Sequence, residues 1–222
     1  MYHPVDLGAM ILDDDYQSLL LDYASGALGG GLSLMMAAYV AVCPEARGRV
    51  AQMEALGGAL IEQCCDPVGM NDVSLSRVLG RLGADELDCL AQNCSPCADL
   101  PEPIQKHLEA FGMTQPRWRK AWFGMSVVRA FPQLCEGKMT VMRLAPGASP
   151  PAHRHEATEL TLILDGALSD DGTDYTAGDL FACEAGTVHK PRACPEQGCT
   201  CMVITAQPVS LTHPLARLLR SL

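Results

Sequence analysis

Basic residues are scarce where this chain begins. Residues 1–90 hold 4 Lys+Arg against 13 Asp+Glu, a net charge of −9. Direct nucleic-acid binding needs a basic patch, so that class of function is not expected here. No run of about eighteen apolar residues occurs, so no membrane span is expected. The start, Met1-Tyr2-His3-Pro4-Val5-Asp6, has no basic region leading into an apolar one. It therefore gives no secretory signal, and the chain reads as cytoplasmic. The 11 cysteines are odd in number and irregularly spaced, which argues against a disulfide framework. Cys94-Ser95-Pro96-Cys97 lacks the second pair that a full zinc knuckle needs. Cys89 could add a third thiol, and the plainer reading is a solvent-facing loop. Cys64-Cys65 is read as packing at a helix end.

What the chain does have is concentrated in Pro151-Ala152-His153-Arg154-His155-Glu156-Ala157-Thr158-Glu159 and, thirty residues on, Gly186-Thr187-Val188-His189. His153 and His155 lie two apart, so on one strand they share a face. Glu159 opens the apolar run Leu160-Thr161-Leu162-Ile163-Leu164, and a neighbouring strand could bring His189 alongside. Three neutral imidazoles and one carboxylate suit Zn, Fe(II), Mn or Ni. Gly147, Gly166, Gly178 and Gly186 supply the turns of a compact antiparallel barrel.

Ahead of this lie helical patterns. Asp14 and Asp15 can cap a helix through Ala24, and Leu32 to Cys43 reads as a helix apolar almost all round. Such a helix must be buried, in its own bundle or against a partner. Further helices are expected from Glu45 to Cys64 and from Val73 to Leu82. A Pro- and Cys-rich stretch follows, with a short helix around Ile104 to Phe111, and alternation of period two begins after Trp118. The expected division is a helical domain over 1–85, a linker over 86–116 and a metal-binding barrel over 117–222. His3, His107 and His213 are read as solvent-exposed. Trp118 and Trp122 are read as packing at the barrel's entry, and segment 215–220 as a short amphipathic tail. An acidic first half is compatible with docking on a basic protein surface that would otherwise meet nucleic acid or polymerase. Solubility alone is the plainer account of the charge.

The glycine, histidine and glutamate spacing resembles the two-part cupin signature, G-x5-H-x-H-x3/4-E-x6-G and G-x5-P-x-G-x2-H-x3-N. The first part matches in full. In the second, Glu184 stands for the proline and Ala193 for the asparagine. A helical half before such a barrel, with Tyr23-Ala24-Ser25-Gly26-Ala27-Leu28 and Glu159 to Asp170 followed by Tyr175 and Gly178-Asp179, resembles the ChrR-type anti-sigma factors. The resemblance implies an α+β multidomain chain: a small helical bundle, then a cupin β-barrel (a double-stranded β-helix, or jelly roll). It implies that the helical half wraps an extracytoplasmic-function sigma factor, with Leu32, Leu34, Met35 and Met36 as partner-facing candidates. The barrel would hold Zn²⁺, or Fe or Mn, through His153, His155, Glu159 and His189, and pass on an oxidative signal such as singlet oxygen. Cys199 and Cys201 are the candidate redox thiols near the metal. Many cupins pair, so a homodimer through the barrel is a further expectation.

The family also carries a zinc motif H-x3-C-x2-C, where this chain has Tyr39, Cys43 and Ala46. Tyrosine and alanine are no zinc ligands here, so no zinc is expected in the helical half, with Tyr39 and Ala46 filling the space instead. Two other readings stand beside this one. A His/Glu barrel can hold Fe(II) or Mn(II) for dioxygenase-like chemistry, with Glu184 as the only further acid–base candidate. A stand-alone metal-dependent sensor would keep the barrel and lose sigma binding.

Overall fold

The computed structural model describes residues 13–66, 69, 71–82, 100–110, 118–128, 138–207 and 209–212. Cys89, Cys94, Cys97, His3, His213 and segment 215–220 lie outside them, as does the side chain of His107. Among the described residues, five helices come first: α1 (Asp13–Ala24), α2 (Gly30–Val42), α3 (Pro44–Cys64), α4 (Asp72–Leu82) and α5 (Glu102–Ala110). Pro44 occupies the first turn of α3, where its missing N–H costs nothing, and Glu45 beside it faces the positive end of the helix. The short helix expected within the linker is α5. Its Ile104, with the preceding Leu100, is buried in the main core.

Eleven strands follow among the described residues: β1 (Arg119–Trp122), β2 (Met125–Val128), β3 (Lys138–Leu144), β4 (His153–Arg154), β5 (Glu159–Asp170), β6 (Thr173–Thr176), β7 (Leu180–Cys183), β8 (Val188–His189), β9 (Arg192–Ala193), β10 (Cys199–Thr205) and β11 (Ser210–Leu211). The large sheet runs β1-β2-β3-β10-β5-β6, with β7 and β9 also paired to β5. A small sheet, β11-β4-β8, carries the histidines. Every pairing between the strands is antiparallel.

The central strands are apolar on both faces, and each face has its own cover. Leu160, Leu162 and Leu164 of β5, Met202 and Ile204 of β10, and Met139 and Val141 of β3 point outward into a core shared with the helices. Ile163 of β5, Cys199, Cys201 and Val203 of β10, and Leu144 of β3 point into the barrel. This is the period-two alternation of a pleated strand, buried on both sides.

The outer face is covered chiefly by α2. Met35 and Met36 are fully buried in the shared core, together with Leu19 and Leu20 of α1 and Ala46 and Val50 of α3. The apolar helix is therefore sandwiched between its own bundle and the barrel sheet. This corrects the expectation that Met35 and Met36 lie on a partner-facing surface; Leu32 and Leu34 are half-buried against the same core. Cys64 and Cys65 are exposed rather than packed, because α3 runs on past the core that its first turns join.

Candidate metal centre

The small sheet sets His153 directly opposite His189 in the β4–β8 pairing. His155 follows one residue past β4, and its N–H donates to the Thr187 carbonyl at 3.0 Å. Glu159 sits at the first position of β5, opposite Cys183 of β7. All four ligand candidates are buried, and one ligand atom from each lies within 4.8 Å of the others. The sequence-predicted set is therefore brought together whole.

The hydrogen bonds around the imidazoles decide which nitrogens face inward. His153 Nδ1 donates to the Pro151 carbonyl at 2.9 Å, and His189 Nδ1 donates to Asp170 Oδ2 at 2.5 Å. A neutral imidazole has one proton, so each of these rings turns a bare Nε2 lone pair to the centre. Nε2 of His189 lies 2.9 Å from that of His153 and 2.7 Å from that of His155. Nδ1 of His155 is buried with no hydrogen-bond partner and sits 3.6 Å from Glu159 Oε2. Converging lone pairs repel one another unless something positive lies between them. This donor set fits a divalent cation.

The electrostatics point the same way. Burial, helped by the neighbouring rings, lowers His155 to a pKa of about 4, and burial likewise lowers His153. Both are neutral and ready to ligate near pH 7. Burial, reinforced by the charge of Asp170, raises Glu159 to about 8. A buried carboxylate in this position calls for a cation to take the place of its proton.

Cys199 and Cys201 are both buried in the barrel-interior cluster. A hydrogen bond with Cys199, followed by burial, pushes the Cys201 thiol up. A nearer thiol escaped the sequence reading: Cys183 Sγ lies 3.7 Å from His189 Nδ1. Burial and then the charges of Glu159, Asp170 and Asp171 push it up to about 12. Its signal was the alternation Phe181, Cys183 in a strand opposite Glu159. Asp170 was missed as a contact as well, being eleven residues from any ligand in sequence. Glu184 is an exposed turn residue whose carbonyl accepts from Thr187 N–H at 3.1 Å.

In the helical half, Tyr39 and Ala46 are buried, at 6% and 0% exposure. The Tyr39 and Tyr16 hydroxyls hydrogen-bond, and their rings meet edge to face with centroids 5.6 Å apart. Burial, then the bond to Tyr16, pushes the Tyr39 phenol well above its usual range, and its hydroxyl also bonds Cys43. Of the family's H-x3-C-x2-C set only Cys43 remains, amid a tyrosine pair, and these residues do not fit zinc.

Comparison with known proteins places both halves. Residues 113–209 match the family model of the ChrR cupin-like domain. The chain is 29% identical over 206 residues to the anti-sigma-E factor ChrR of Cereibacter sphaeroides, covering 91% of this chain and 93% of that protein. Its fold matches a crystal structure of Rhodobacter sphaeroides SigE in complex with the anti-sigma ChrR, with a TM-score of 0.63 and 28% identity. That match covers 85% of this chain and 96% of the other.

Proposed function

We infer that this chain is a ChrR-type anti-sigma factor, whose helical half sequesters a sigma factor of the extracytoplasmic-function class and whose barrel half is a metal-holding sensor. The observation that carries this is the likeness to ChrR through helices and barrel together. Its place of action is the cytoplasm, where sigma factors meet polymerase. Among the described residues no helix is long and apolar enough to cross a membrane.

The docking surface lies on α3 and α4. Leu56, Leu60 and Ile61 of α3 and Val73, Leu75, Val78 and Leu79 of α4 are exposed, Ile61 at 64% and Leu79 at 56%. Leu56 and Leu60 are four apart, and Leu75, Val78 and Leu79 follow i, i+3, i+4, so each helix shows an apolar face. Exposed apolar side chains aligned along a helix suit an amphipathic docking face. The acidic balance of the first 90 residues suits a partner with a basic surface.

The barrel's ion is zinc, which three imidazoles and a carboxylate hold well. Residues Cys199 and Cys201 supply the redox chemistry. Two thiols give up two electrons and two protons to an oxidant such as peroxide, which is reduced to water, and close a disulfide along β10 on its barrel-facing side. The packing around Ile163 and Glu159 then loosens, and the equilibrium moves towards free sigma factor.

Co-expression of the full chain with the extracytoplasmic-function sigma factors of its organism tests the reading. A one-to-one complex is expected, weakened at least tenfold by Leu60→Asp or Leu79→Asp with metal content unchanged. Failure of a folded chain to bind any of them would overturn it. The sensing step fails if the Cys199→Ser/Cys201→Ser variant releases its partner under oxidant as the parent does.

A further inference from the structure

Glu159 and Asp170 are the two ends of β5. A straight strand would hold them about 36 Å apart at about 3.3 Å per residue. The strand instead curls. Gly166 has φ +74°, and a Cβ there would stand 2.3 Å from the Gly198 carbonyl oxygen, so the two strands touch backbone to backbone. The β5–β10 register shifts at the same place, between Thr200 and Cys201. Before the bend β5 pairs with β7; beyond it, with β6 and β9. The bend returns the far end of the strand to the histidines.

Asp170 is held at that end by the turn that follows it. It pairs with Thr173 across Asp171 (φ 46°) and Gly172 (φ 82°), a two-residue turn with both central residues left-handed, which fixes the strand end. Its side chain is 10% exposed. One oxygen accepts from His189 Nδ1 at 2.5 Å, and Oδ1 is buried with no hydrogen-bond partner. A buried carboxylate with a single neutral donor is poorly compensated. A cation on the opposite edge of the same imidazole would balance it through the ring.

We propose that Asp170 is a positioning residue of the metal centre, holding His189 as the Nδ1–H tautomer with Nε2 aimed at the ion. The inference rests on the metal-centre reading of the barrel. Carboxylate partners of ligating imidazoles fix ring orientation and raise ligand basicity, and their loss typically weakens metal binding about 10- to 100-fold.

The test is zinc affinity of the full chain by competition with a chromophoric chelator, for the parent and for Asp170→Ala, Asp170→Asn and Asp171→Asn. Asp170→Ala is expected to lose about 10- to 100-fold. Asp170→Asn, which keeps an acceptor without the charge, should fall between. Asp171→Asn removes an exposed charge one residue away and should match the parent. Nitrogen NMR of the His189 ring adds a readout that a structural role would not move: a protonated Nδ1 in the parent, and a tautomer mixture in zinc-free Asp170→Asn. Should Asp170→Ala fail to fold, the Asp170→Asn affinity and the ring spectrum decide. Parent-like affinity together with an unchanged tautomer overturns the positioning role. A parent chain that takes up no zinc instead overturns the metal-centre reading beneath it.

Discussion

Burial of Glu159 gives the barrel a pH signature. Its carboxyl sits near 8 in the fold, against an ordinary carboxylate value of 4.5. Between these values the folded chain binds more protons than the unfolded one, so stability falls as pH rises. His155 acts in the opposite sense. Its folded value of about 4 lies below its ordinary 6.5, so its contribution grows as pH rises from 4 to 6.5 and is then complete. From about pH 6.5 to 8 the His155 contribution is constant and the Glu159 slope remains. Chelator-stripped protein is expected to melt at progressively lower temperature across that interval, and Glu159→Gln to flatten the slope. Zinc-loaded protein should lack it, because the ion meets the ionised carboxylate. Of the four candidate ligands, His153, His155 and Glu159 were legible because i, i+2 spacing on a strand and a following carboxylate are local facts, and His189 because it closes a second glycine-spaced motif. Asp170 and Cys183 were not, because a curled strand and a cross-strand pair bring them in.

At the scale of elements, the curl of β5 and the burial of α2 have different costs. Gly166→Ala places a Cβ against the Gly198 carbonyl in a backbone region where side chains are strained. Strain and clash together are expected to cost about 3 kcal/mol or more, with Asp170 displaced from His189. A thermal melt and a zinc titration of the variant read the two effects separately. Met36→Ala acts on α2, where the side chain is fully buried between bundle and sheet. Removing it should cost about 2–5 kcal/mol by chemical denaturation. The first four helices and the central strands were legible from apolar periodicity and from Pro44. The destination of α2 was not, since a helix apolar on every side says only that it is covered. The cover had its own trace in the run Leu160 to Leu164, where Thr161 alone is polar, because a strand with apolar residues on both faces is covered on both.

Over the whole molecule, one core joins the helices to the barrel that carries the candidate metal centre. Glu159, one of the four candidate ligands, opens β5, and the next residue, Leu160, points into the core that also holds Met35 and Met36 of α2. At the other end of α2, the Val42 carbonyl and Cys43 lie within 4 Å of where a side chain on Gly178 would begin. A change at the metal centre thus has a contiguous, densely packed route to the helices, and dense packing transmits displacement. A route alone does not establish coupling, and the physical warrant is a change in one half when the other is perturbed. Amide hydrogen exchange supplies it. Stripping zinc, or replacing His189 by Ala, is expected to speed exchange in α2 around Met35 to Tyr39. The exposed α4, none of whose described side chains is buried, should be unaffected. If α2 keeps its protection while β4 and β8 lose theirs, the two halves are stacked but independent, and sigma release must begin in the helices themselves.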